Sequence, residues 1–184
     1  MSASVAIRGL MAIADDAAEW KLDPVEQARA ACEGGASLVQ LRVKRAVDST
    51  ALAWAESIRE ITRAWRVAFF VNDRFDLALA VGADGVHLGQ QDVPPSRLPA
   101  SARAKLLVGR STHTLAEARA ACDDAPDYIA FGPIFETRTK QVGCAARGLE
   151  ALSAVVRAVA PRPLVAIGGI DASNAASAIA AGAG

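Results

Sequence analysis

An alternating α/β fold, a (β/α)8 TIM barrel, is what this 184-residue sequence predicts, and three observations predict it. Short apolar, often β-branched runs alternate with Ala-rich segments of helical period. Runs such as Val67–Val71 are apolar on both faces, as in a parallel sheet covered by helices. Polar residues of unusual kind sit at the C-terminal end of nearly every run, and in a barrel all those ends converge on one mouth. An open doubly wound sheet would spread the same ends along an edge. Neither a G-x-G-x-x-G after the first strand nor a G-x-x-x-x-G-K-[ST] is present to support it.

Seven strands are expected, over Gly9–Ala14, Ser37–Arg42, Val67–Asp73, Gly85–Gly89, Leu106–Ser111, Tyr128–Pro133 and Leu164–Ile170. Between them the helical period covers Pro24–Gly34, Ser49–Trp65, Arg74–Val81, Leu115–Cys122, Leu149–Val159 and Ala172–Ala180. Asp23-Pro24 and Asp171 read as helix starts. Gly34-Gly35 and Gly82 read as stops. No linker or low-complexity tail divides the chain, so one domain over residues 1–184 is expected.

Composition narrows the function. Twenty Lys and Arg balance twenty Asp and Glu, so no basic face points to nucleic acid or an acidic membrane. No apolar run reaches the roughly 18 residues of a spanning helix. The first sixteen residues do not read as a secretory signal. Cys32, Cys122 and Cys144 are odd in number and widely spaced, which suits reduced thiols in the cytoplasm. Small-molecule substrates are therefore expected, with no nucleic acid and no membrane, and the sequence leaves room for a homo-oligomer.

The chemistry lies at the strand ends. Strand alternation places Gln40, Arg42 and Lys44 on one side, where two cations would repel each other unless an anion sat between them. Asn72-Asp73 and His87 to Asp92 bring two carboxylates to neighbouring strand ends, a donor set suited to magnesium bridging to a phosphate. A polar loop with two hydroxyls and two cations, Thr137 to Lys140, follows Gly132-Pro133, and Lys140 supplies a third positive point. Gly168-Gly169 would let a phosphate approach the backbone, or would serve tight packing. His87 reads as a structural or supporting residue, and His113 stands just past Ser111.

Together these segments resemble the thiamine phosphate synthase family. The resemblance runs over almost the whole chain: Val39-Gln40-Leu41-Arg42 with Lys44, Val71-Asn72-Asp73-Arg74, and Gly85 to Gln90 with Asp92. It continues through Gly109 to Thr114, Asp127-Tyr128 with Phe131-Gly132-Pro133, Thr137 to Lys140, and Val165 to Ile170. It implies a (β/α)8 barrel that condenses hydroxymethylpyrimidine diphosphate with a thiazole phosphate, giving thiamine monophosphate and diphosphate. It further implies that Gln40, Arg42, Lys44, Asn72, Ser111 and Lys140 hold the pyrimidine diphosphate. Asp73 and Asp92 would hold Mg2+, and Thr137, Thr139 and Gly169 would contact the thiazole phosphate. Arg42, Lys44 and Lys140 would act catalytically by neutralising the leaving diphosphate. Ala14 stands where the family often carries Thr. In the family an eighth strand and a last helix follow the position of Ala181-Gly182-Ala183-Gly184, so the barrel is expected to be C-terminally incomplete. Two alternatives stay open: a thiazole tautomerase-like isomerase and a non-catalytic barrel that binds phosphate ligands.

Overall fold

Each of the seven apolar runs forms a strand among the described residues, 5–137 and 145–184, of the computed structural model. Two compact units divide the chain: Met1–His87 with Leu98–Val108, and Leu88–Arg97 with Gly109–Gly184.

In the first unit β1 (Met11–Asp15), β2 (Leu38–Arg42), β3 (Ala68–Asn72) and β4 (Gly85–Leu88) pair in parallel, each with the next. Helices α1 (Pro24–Glu33), α2 (Asp48–Trp65) and α3 (Phe75–Val81) connect them. Helix α1 starts where Asp23-Pro24 predicts: Asp23 accepts from the Glu26 amide, and Glu26 returns a bond to the Asp23 amide. Gly82 ends α3 in the left-handed conformation, φ 63°. Leu38, Val39, Leu41, Phe69, Phe70 and Val86 are buried, the continuous apolar strand core that helix coverage requires. Asp84 ties this unit from below: it accepts from the Phe69 amide at 2.8 Å and pairs with Arg59 at 2.8 Å. A short helix absent from the sequence expectation, α4 (Ala100–Arg103), also belongs here.

In the second unit β5 (Leu107–Thr112) pairs in parallel with β6 (Tyr128–Phe131), and β6 with β7 (Leu164–Ala166). Helices α5 (Leu115–Asp123), α6 (Gly148–Val159) and α7 (Ala175–Ala180) accompany them. Ile129, Phe131, Ile134, Leu152, Val155 and Leu164 form their common core. Helix α7 begins three residues later than expected. Asp171 does act as a cap, accepting from the Ser173 amide at 2.8 Å, but it closes a turn ahead of the helix.

Candidate active site

Parallel register builds the first unit's share of the site. Asp15 is the partner of Arg42 across β1 and β2, so their side chains leave the same side of the sheet. The result is an ion pair of 2.5 Å between a buried carboxylate and a partly buried guanidinium. Gln40, two residues earlier on β2, is buried, and its amide nitrogen lies 3.5 Å from the Met11 sulfur. Strand β2 ends at Arg42, so Lys44 projects from the following loop rather than from the strand. Its ammonium pairs with Asp73. The repulsion expected between Arg42 and Lys44 is thus answered within the protein, where each cation has its own carboxylate. Asn72 ends β3, and Asp73 follows it with φ 63°, a left-handed conformation that Asp tolerates better than most residues. The Asp73 amide donates to the His87 carbonyl at 2.8 Å, fixing this corner against β4. Lys44, Asn72 and Arg74 line a cavity of about 190 Å3 beside it. Arg74 is itself held by Asp76 and Asp48, whose hydrogen bonds raise its pKa further above the ordinary range.

Asp16 belongs to the same corner, and neither it nor Asp15 is among the residues that the strand-end pattern singles out. Its carboxylate accepts from the amides of Lys44 (2.8 Å), Arg45 (2.7 Å) and Ala46 (2.8 Å). Partial burial pushes its pKa up, but these three amides, aided by Arg42, hold it below the usual carboxylate range. The available signal was an acidic pair closing the first strand, the place where the other strands carry their polar residues.

The second unit holds the other predicted ligands. Asp92 lies in the turn after β4, where its Oδ2 accepts from the Gly89 amide at 2.6 Å. Arg110, 7% exposed on β5, reaches across to the same turn and donates to the carbonyls of Gly89 (2.7 Å) and Gln90 (3.3 Å). The Gln90 side-chain amide donates to the Ser111 carbonyl, which binds the turn to the strand that carries Ser111. His113 stands just beyond; its Nδ1 lies 2.7 Å from the Gly132 carbonyl, so that nitrogen carries the proton and donates it.

Gly168 and Gly169 both have positive φ, 94° and 65°. A Cβ on Gly168 would lie 2.5 Å from Pro133, and one on Gly169 would lie 2.3 Å from the Glu136 carbonyl. The close approach these glycines permit is therefore made, at least in part, by the chain's own segment 133–136, and the Phe135 amide donates to Gly168 at 3.0 Å. This packing places Gly169 against the residue preceding Thr137. Thr139 and Lys140 lie outside the described residues.

Asp73 belongs to the first unit and Asp92 to the second. Their donors are carboxylate oxygens, and among the described residues no cluster of three or more His, Cys, Asp or Glu forms a closed cage. Each carboxylate, taken by itself, is of the kind Mg2+ accepts, since that ion takes one or two carboxylates and completes its shell with water and substrate phosphate.

The family model described as thiamine monophosphate synthase matches residues 10–184. A thiamine-phosphate synthase of Anaeromyxobacter dehalogenans is 48% identical over 163 residues, covering 88% of this chain and 72% of that protein. One from Chlorobium phaeobacteroides is 46% identical over 160 residues, covering 87% of this chain and 77% of its own. Among solved structures, thiamine phosphate pyrophosphorylase from Pyrococcus furiosus superposes with a TM-score of 0.82 at 36% identity, over 94% of this chain and 81% of that one. The chain belongs to the thiamine monophosphate synthase family.

Proposed function

We propose that this enzyme joins hydroxymethylpyrimidine diphosphate to a thiazole phosphate by a dissociative substitution, on a (β/α)8 barrel, in the cytoplasm. Thiamine-phosphate synthesis is the activity its family membership assigns. The observation that carries the substrate assignment is the corner where Arg42 ends β2 and Lys44 follows in the loop, beside Asn72 ending β3 and Asp73 just after it.

The bond from the pyrimidine methylene carbon to the diphosphate oxygen breaks, and the leaving group takes the electron pair. The thiazole nitrogen then donates its lone pair to the carbon, forming the new C–N bond. That nitrogen carries no proton, so no general base is needed, and His113 has no assigned step. Arg42, Lys44 and Lys140 neutralise charge as it grows on the diphosphate, which is stabilisation of the transition state rather than of the ground state. Gln40, Asn72 and Ser111 orient the pyrimidine diphosphate. Thr137, Thr139 and Gly169 hold the thiazole phosphate, which aligns its nitrogen with the reacting carbon. Mg2+ held by Asp73 and Asp92 would supply further charge neutralisation to the diphosphate. Lys44 then exchanges part of its contact with Asp73 for phosphate oxygens, and Arg42 meets them with the guanidinium nitrogens other than Nη1.

Diphosphate release by the 184-residue chain, with both substrates and with Mg2+ or chelator, tests this reading. Release is expected only with both substrates and Mg2+, and Asp92→Asn should lower it by at least about tenfold. A chain that binds both substrates and releases nothing would overturn it.

A further inference from the structure

We propose that Asp15 and Asp16, the adjacent carboxylates closing β1, are positioning residues for the segment that presents Arg42 and Lys44 to the diphosphate. The inference rests on reading Arg42 and Lys44 as diphosphate ligands, and it adds two residues to which that reading gives no role.

The two carboxylates take different parts of one segment. Asp15 engages a side chain: its Oδ2 lies 2.5 Å from Arg42 Nη1, and its Oδ1 accepts from the Ala17 amide at 2.8 Å. It is itself anchored, because the Gln27 side chain bonds both its backbone amide (3.0 Å) and its carbonyl (2.8 Å). Asp16 engages the backbone: the consecutive amides of Lys44, Arg45 and Ala46 converge on its two oxygens. Its own amide donates to the Arg42 carbonyl at 3.3 Å, which closes the arrangement.

Convergent backbone amides of this kind form an anion-binding concavity. Here a fixed carboxylate fills it, so an incoming phosphate is left to the side chains. A lysine is a point charge on a flexible stem, and where its ammonium can reach depends on where its backbone is held. Asp16 holds the Lys44 backbone. An engagement of Arg42 through one Nη leaves the rest of its fork to meet a phosphate.

A double-mutant cycle on the 184-residue chain tests this, with steady-state kinetics and urea unfolding measured in parallel. Asp16→Asn replaces one accepting oxygen by a donor that faces the amides. It should lower kcat/KM by about tenfold to a hundredfold, chiefly through kcat, since a misplacement of about 1 Å is that costly. In a Lys44→Ala background the same substitution should cost no more than about twofold. Asp16→Ser, which keeps a single acceptor, gives the same comparison where the Asn variant does not fold. Asp15→Asn should likewise lose its effect in an Arg42→Ala background. An equal loss in both backgrounds would make the carboxylates merely structural and would overturn the inference. So would an unchanged kcat/KM for Asp16→Asn while Lys44→Ala is impaired. A Lys44→Ala variant of unchanged kcat/KM would instead remove the diphosphate reading of Lys44, and the inference with it.

Discussion

The segment after β2 and the turn after β4 solve the same problem with opposite charges. After β2 the predicted ligands are cations, Arg42 and Lys44, and the parts that hold them are carboxylates, Asp15, Asp16 and Asp73. After β4 the predicted ligand is a carboxylate, Asp92, and the turn is held by the Arg110 guanidinium through the carbonyls of Gly89 and Gln90. In the first unit the hold comes from the ends of the two strands paired with β2, because parallel strands bring their C-terminal ends side by side, and in the second it comes from Arg110 on β5. The difference lies in what can be switched off. Carboxylates lose charge in acid, whereas a guanidinium bonded to carbonyls does not. Exposure differs too: Arg110 is nearly buried, while Lys44 is half exposed.

Removing Arg110 should be the most damaging change. Arg110→Ala is expected to cost about 3 kcal/mol in urea unfolding, because buried charge-assisted bonds are lost and carbonyls lose their donors. Arg110→Lys should recover less than half of that, since an ammonium cannot reproduce the fork. A loss below about 1 kcal/mol for Arg110→Ala would show that the turn is held by something else. Asp15→Ala should cost less, about 1 to 2 kcal/mol, since Arg42 is partly exposed and can turn towards water when its partner goes.

Acid should separate the two segments. Asp16 has a pKa below its unfolded value, so its contribution is complete above roughly pH 4 and is lost as pH falls through the folded value. Hydrogen-exchange protection of the Lys44, Arg45 and Ala46 amides, corrected for intrinsic rates, should therefore fall below about pH 4. Protection of the Asp92 amide, which donates to the Gly89 carbonyl within the turn after β4, should persist over the same range. Equal loss at both places would remove the asymmetry. The smallest stability effect belongs to Lys44→Ala, at most about 1 kcal/mol, because its pair with Asp73 is solvent-accessible. The same variant should lose most of its diphosphate release, and that split would mark Lys44 as serving the ligand rather than the fold.

Legibility followed the length and period of each segment. The seven strands were readable because each is a short apolar run, and α1 because Asp23-Pro24 carries both a cap and a first-turn proline. Helix α4 was not: four residues make barely one turn and bury Ala102 alone, too little for a period to show. Helix α7 starts later than the sequence pattern predicts because Asp171 caps a turn as readily as a helix, and the same side-chain oxygen serves either. Arg42, Lys44, Asn72 and Asp73 stood out as polar residues ending apolar strands. Asp15 and Asp16 did not, because their meaning depends on partners 27 to 30 residues away.

The sequence by itself therefore determined the alternation of strands and helices and the polar residues gathered at the strand ends. Both follow from local periodicity, which every residue carries within a few neighbours. Only the tertiary structure decided which carboxylate meets which cation, and which backbone the paired glycines touch. Asp15 meets Arg42 because the register of β1 on β2 sets them side by side. Gly169 lacks a side chain because segment 133–136 passes within 2.3 Å of where one would begin. Register and close approach are relations between distant segments, fixed only when their apolar faces pack, and no local pattern encodes them.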